Sequence, residues 1–170
     1  MRAAHSFAHL ALLVSIAAIA AGCAAADGAE GPGGSMAPPL QLRLVTSAET
    51  GPCSAPPLTA DGPGTTCDIE GATTYELAET LGVVTPTSVV RESQGGGLTL
   101  VVEFDDADTK TLEDVSGQAI GEELAILLDG KVLSAPTVQA PITTSPITFA
   151  FGTASDADRV AALLGPPSTS

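Results

Sequence analysis

One stretch constrains this chain more than any other. Leu124 to Leu128 is a run of five apolar residues; Asp129-Gly130 follows, then Lys131-Val132-Leu133-Ser134-Ala135-Pro136. Two short apolar runs about an Asp-Gly pair read as a β-hairpin, because the two-residue hairpin turn favours positive φ at both central positions. Asp129 tolerates that conformation and Gly130 adopts it without a Cβ clash. On the first strand Leu124, Ile126 and Leu128 share one face while Ala125 and Leu127 share the other. Both faces are therefore expected to be covered. On the returning strand Lys131, Leu133 and Ala135 are expected to share a face. Pro136 has no N–H to give a ladder, so the strand ends there or lies at an edge. A catalytic use of Asp129 and Ser134 is the competing reading. Asp-Gly is such a regular turn pair that a structural role for both residues is preferred.

The N-terminus sets the compartment. A weakly basic start, Met1-Arg2, precedes an uncharged, mostly apolar run from Leu10 to Ala20. That run falls short of the roughly 20 apolar residues that a spanning helix needs. Small residues then lead into a cysteine, Ala20-Ala21-Gly22-Cys23. This resembles a bacterial lipoprotein signal, with residues 1–22 removed and Cys23 lipidated; Ala20 stands where Leu is usual. An ordinary secretory signal is the alternative. No later segment is long and apolar enough to span a bilayer, so the expected state is an exported protein held at the cell membrane by its lipid, on the extracytoplasmic face.

With Cys23 assigned to lipid, Cys53 and Cys67 remain, and in an exported chain they are expected to form a disulfide. The intervening segment, Ser54 to Thr66, is rich in Pro, Gly and Thr and has little means of ordering itself. Cysteine spacing of the zinc-binding kind is absent, so no metal is expected. Both histidines, His5 and His9, fall in the leader. The remainder therefore lacks the Ser-His and Cys-His pairs of common hydrolases and any imidazole metal ligand. No cofactor is implied.

Twenty acidic residues face six Lys and Arg, a net charge of −14, and loss of Arg2 with the leader makes the balance one unit more negative. That charge disfavours nucleic acid and anionic membrane surfaces as direct partners. There is no Trp and one Tyr, so the core must rest on aliphatic residues. After the leader and tether, about 130 residues suffice for one domain.

Residues 23–39 are small and Gly-rich and read as a flexible tether. Leu40 to Val45 alternates, as a first strand would. Thr73 to Leu77 is a short strand, and Ala78 to Leu81 is ambiguous. Thr85-Pro86 opens either a short helix reaching Glu92 or an irregular turn. Gly95 to Gly97 lacks the Lys and Ser/Thr of a phosphate loop and reads as a hairpin connection. Leu98 to Phe104 alternates most clearly. Asp105-Asp106-Ala107-Asp108 then opens a helix towards Ser116, because carboxylates suit the positive end of a helix. A calcium loop is the alternative, but the required later Gly and acidic positions are missing. Gly117 and Gly121 are expected to break the chain. Ile147 to Phe151 is a strand, and Ser155 or Asp156 caps a last helix whose Val160, Leu163 and Leu164 face the core. Residues 166–170 form a polar tail. The sum is an α+β fold: one domain, 40–165, with a curved antiparallel sheet covered by about two helices. Val102, Phe104, Ile126, Leu128, Phe149 and Leu163 are the expected core.

Four pieces of this order resemble the head subdomain of the first periplasmic domain of SecD, in the SecDF protein-export family. Leu40 to Val45 is similar to the strand with a central Arg that precedes the head. Leu98 to Phe104 with its acidic cap resembles the strand-to-helix step. Leu124 to Pro136, continued by Val138 and Pro141-Ile142, resembles the signature Ala-Ile-x-Leu-Asp-Gly-x-Val-x-Ser-Ala-Pro. Ile147 to Leu164 resembles the last strand and helix, although Phe149-Ala150-Phe151-Gly152-Thr153 departs from the usual Gly-Asn-Phe-Thr, and the Cys53–Cys67 loop has no counterpart.

The resemblance implies a fold and a capacity to bind extended or unfolded polypeptide; without the family's membrane helices it implies no proton-coupled motor. The partners it suggests are exported or unfolded polypeptide, or another envelope protein. The sequence carries no signal for oligomeric state. The competing functions are a structural envelope protein without an export role, and a hydrolase using carboxylates such as Glu103 and Asp105; nothing in the sequence marks a cleft or stacking aromatics for the latter. If Cys23 carries the anchor, Cys23→Ala should release the protein from membranes. A variant that stays bound through a high-salt wash and still carries lipid would exclude this assignment.

Overall fold

In the computed structural model of the protein, residues 37–94 and 97–165 are described. The leader, Cys23, most of the tether, Gly95, Gly96 and the tail lie outside them. The strands are β1 (Leu40–Thr50), β2 (Gly64–Cys67), β3 (Thr73–Val84), β4 (Ser88–Gln94), β5 (Gly97–Glu103), β6 (Leu124–Leu128), β7 (Lys131–Ser134) and β8 (Ile147–Phe151). The helices are α1 (Asp106–Gln118) and α2 (Ala154–Leu164). The named strands pair antiparallel and divide into two sheets, ordered β2-β3-β1-β6-β7 and β4-β5-β8. The fold class is α+β.

The alternation of β1 explains its central place. Leu40 and Leu42 are buried in the main apolar cluster, while Arg43 turns to the other face, opposite Ala125 of β6. β6 has both faces filled: Leu124, Ile126 and Leu128 join the main cluster, and Ala125 and Leu127 join a second, smaller one. The main cluster also takes Leu100, Val102 and Phe149 from the smaller sheet, Leu112 and Val115 from α1, and Val160 and Leu164 from α2. It is thus the layer where two sheets and two helices meet.

α1 begins where the acidic run placed it. Asp105 is the N-cap and its side chain accepts from Asp108 N at 2.8 Å. Asp108 in turn accepts from Thr85 N at 2.8 Å, fixing the start of the helix to the end of β3. The helix lies so close to β3 that a Cβ on Gly82 would sit 2.9 Å from Thr111 Cγ2 and 3.0 Å from Val115 Cγ2.

Several expectations are corrected. Ser88–Gln94 is a strand, where Thr85 to Glu92 reads as a short helix or irregular turn. The adjacent Val89-Val90 favours extended backbone, and β5 pairs with the whole segment from Ser88 to Gln94. β3 runs through the ambiguous Ala78 to Leu81. Gly117 lies within α1 rather than beyond it; Gly121, at φ +86°, is the true break. α2 is capped by Thr153, not by Ser155 or Asp156: the Thr153 hydroxyl accepts from Asp156 N. Starting there, the buried stripe is Ala157, Val160 and Leu164. Leu163 points about 100° off that stripe in helical projection, and it is 42 % exposed. Leu133 and Ala135 do not share a face. A register shift in the β6–β7 ladder sends Leu133 to the main cluster and leaves Ala135 against the second.

This layering orders the stability effects of truncation. Phe104→Ala and Ile126→Ala should each lose about 2–5 kcal/mol in denaturant titration, by lost burial and cavity formation. Leu163→Ala should change stability by no more than about 0.5 kcal/mol. Equal losses at all three positions would contradict the layer assignment.

Candidate functional site

The larger sheet carries its distinctive chemistry on the face away from the main core. There Gln41, Arg43 and Val45 alternate with the core-facing leucines of β1. Arg43 is completely inaccessible to solvent. Its guanidinium donates to four acceptors: Gly62 O at 2.7 Å, Ala60 O at 2.5 Å, Ala78 O at 3.2 Å and Gln41 Oε1 at 3.2 Å. Burial pulls its pKa down, and the charge of Asp61 partly offsets this. No ion pair within 4.0 Å joins Arg43 to a carboxylate among the described residues. The charge is held by carbonyl dipoles, each of which satisfies a donor that burial would otherwise leave costly.

Two of those carbonyls belong to the segment between Cys53 and Cys67. This segment crosses the sheet face as a strap. Leu58 packs against the cluster of Leu77, Ala125, Leu127 and Val132. Leu58 N donates to Gly130 O at 2.8 Å, and the buried Thr66 hydroxyl donates to the same oxygen at 2.8 Å. Thr80 N donates to Asp61 O at 2.8 Å, and the strap then becomes β2 along β3. Just beyond β2, Ile69 N donates to Val132 O at 3.0 Å. A disulfide joins Cys53 to Cys67, with Cα atoms 5.7 Å apart. The segment that composition marks as unable to order itself is therefore ordered from outside, by Arg43, Gly130 and the disulfide.

The hairpin turn has the backbone that its sequence demands, with φ of 49° at Asp129 and 74° at Gly130. The structure adds a second requirement at Gly130. A Cβ there would lie 2.6 Å from Leu58 N and closer still to Leu58 O. The turn is the seat of the strap, which its sequence alone did not reveal. Asp129 is exposed at the turn, and Ser134 ends β7. Tyr75 packs on the second cluster, and its pKa is raised by burial and then by the charges of Asp68 and Glu123.

Two of the acidic candidates are spent on local geometry: Asp105 accepts from Asp108 N and Asp108 accepts from Thr85 N. Among the described residues no group of three or more His, Cys, Asp or Glu is placed to hold a metal ion. A cleft of about 430 Å³ opens beside the first turn of α1, lined by Thr87, Glu103, Asp106, Thr109, Thr144 and neighbours. It offers hydroxyls and two carboxylates. Among the described residues no helix is long and apolar enough to cross a membrane.

Comparison with known proteins agrees with this architecture. The family described as "SecDF, P1 head subdomain" matches residues 83–166. The protein translocase subunit SecD of Acidaminococcus fermentans is 42% identical over 50 residues, 29% of this chain and 12% of that protein. The matched stretch is thus a small part of the relative's length. A solved structure of SecDF, described as a membrane component that enhances protein export, has 20% identity and a TM-score of 0.50, covering 78% of this chain and 66% of the other. SecDF in a super-membrane-facing form gives 24% identity and a TM-score of 0.51, covering 76% of this chain and 19% of the other. At these identities the structural likeness is one of fold. The chain resembles the P1 head of SecD. Strands β1 and β2 and nearly all of β3 precede the family match, yet β1 sits at the centre of the sheet that the matched hairpin completes.

The strap should fail in a residue-specific way. Arg43→Met leaves buried carbonyls without a donor, each costing about 1–3 kcal/mol. Gly130→Val adds a β-branched side chain where both φ and space exclude it. Both variants should lose much of the folded population in thermal and denaturant unfolding. Asp129→Asn should unfold like the parent, because Asn also tolerates positive φ. A Gly130→Val protein as stable as the parent would refute the docked-turn geometry.

Proposed function

We propose that the protein is a lipid-anchored, extracytoplasmic accessory module that binds polypeptide in or after export, or another envelope protein, and works without catalysis or proton-coupled motor activity. Its organisation in this reading is a leader (1–22), lipid on Cys23, a tether (23–39), a head-like domain (40–165) and a polar tail (166–170). The observation that carries it is the SecDF P1 head match over residues 83–166, on a matching fold. Residues that could suggest chemistry have structural employment. Asp129-Gly130 seats the strap, Asp105 caps α1, Asp108 ties α1 to Thr85, and Arg43 is held by carbonyls. These assignments favour a binding role over a carboxylate hydrolase.

The tether fits this role. A tethered domain meets emerging chains at a raised effective concentration, so weak main-chain contacts suffice.

In intact cells making an exported reporter stalled during translocation, crosslinking should join this protein to the unfolded reporter several-fold more than to the completed, folded one. Cys23→Ala should reduce that capture by removing the anchor. Equal capture of folded and unfolded reporter, or none with the protein present at normal levels, would reject the export-linked reading in favour of a structural envelope role.

A further inference from the structure

A sheet edge leaves a row of backbone donors and acceptors without partners, so it is either guarded or recruits another chain. The edges of this molecule differ sharply. In the larger sheet, the β2 and β7 sides are linked through the strap, by Leu58 N and Thr66 Oγ1 to Gly130 O and by Ile69 N to Val132 O. In the smaller sheet the edges are β4 and β8. β4 is marked by charge: it carries Arg91, ion-paired with Asp158 of α2, and Glu92. β8 reads Ile147-Thr148-Phe149-Ala150-Phe151, with no charge, no glycine and no proline within it. Its ladder to β5 runs from Ile147 opposite Val102 to Phe151 opposite Leu98 without a register shift. Among the described residues no backbone hydrogen bond joins its other side to another segment. Thr148 and Ala150 are exposed, while Phe149 is anchored in the core. Within Ile147–Phe151 the edge carries no charge, proline or bulge to guard it.

We infer that the outer edge of β8 is a strand-addition site for an extended polypeptide segment, which pairs with it through main-chain hydrogen bonds. The inference rests on the polypeptide-binding reading and locates its site. Main-chain pairing accepts many sequences, as binding of varied chains requires. Charge selects among occupants. Glu103 follows the β5 partner of Ile147, and Asp156 lies in the first turn of the helix that follows Phe151. With the net charge of −14, these acidic neighbours suit a segment with flanking cations. A second copy is the weaker occupant, because two chains of net charge −14 would have to bring these carboxylates together.

The probe is a synthetic peptide of alternating Thr and Val with Lys at both ends, added to the full-length protein in detergent. Amide hydrogen exchange should slow at least tenfold at alternate positions of 147–151, those whose N–H groups point away from β5, and remain unchanged in β1 and β4. The same peptide N-methylated throughout keeps its side chains and should bind at least tenfold more weakly. Peptide binding with protection elsewhere, or binding that survives N-methylation, overturns the β8 site while leaving polypeptide binding intact. So does failure to bind the peptide by a protein that still captures unfolded reporter. Failure to bind either one rejects both readings. Concentration-dependent protection of β8 without peptide identifies a second copy as the occupant and overturns the inference.

Discussion

The buried guanidinium of Arg43 is the constraint around which the larger sheet is arranged. A charge taken out of water needs acceptors, and β1 alone cannot supply enough of them. The protein provides them by drawing the Cys53–Cys67 segment across the sheet, so that Ala60 and Gly62 offer their carbonyls. Once the segment is there, Leu58 covers the second apolar cluster and Gly64–Cys67 can pair with β3. The disulfide assists by limiting the unfolded chain, an effect of about 3 kcal/mol for a loop of this size. Polar satisfaction and apolar burial are coupled through one segment that has few apolar residues of its own.

The same coupling gives the Asp-Gly hairpin a second meaning. As a turn it needs only the right φ values. As a seat for the strap it also needs an unencumbered backbone, since the Gly130 carbonyl takes two donors while its α-carbon faces the Leu58 backbone. The hairpin lies inside the segment that matches the SecDF P1 head, and the strap lies before it. The contact therefore ties a segment outside the family match to one of the most recognisable pieces within it.

Edge management separates the two sheets. The larger one links its outer strands through a covalently closed strap, which favours a fixed structure. The smaller one keeps a plain, uncharged β8 on a rigid base of core residues. The proposed role would be served by this division: a stable body, and one edge whose backbone groups lack partners among the described residues.

Much of this was legible in the sequence because it depends on local rules. Alternation placed β1, β5 and β8, Asp-Gly placed the hairpin, and the acidic run placed the start of α1. The five-residue apolar run of β6 already implied cover on both faces. The signature around Asp129-Gly130 also carries the resemblance to the SecD head. Long-range contacts decided the rest. Ser88–Gln94 became a strand because β5 was there to pair with it. Leu163 fell outside the core because capping by Thr153 and the approach of the sheet set the helix face. Above all, nothing local in Leu-Arg-Leu tells that Arg43 will be sealed from water, because that requires carbonyls from residues 17 and 19 positions away. Periodicity reports which way a side chain turns; only the tertiary structure supplies the groups that meet it there.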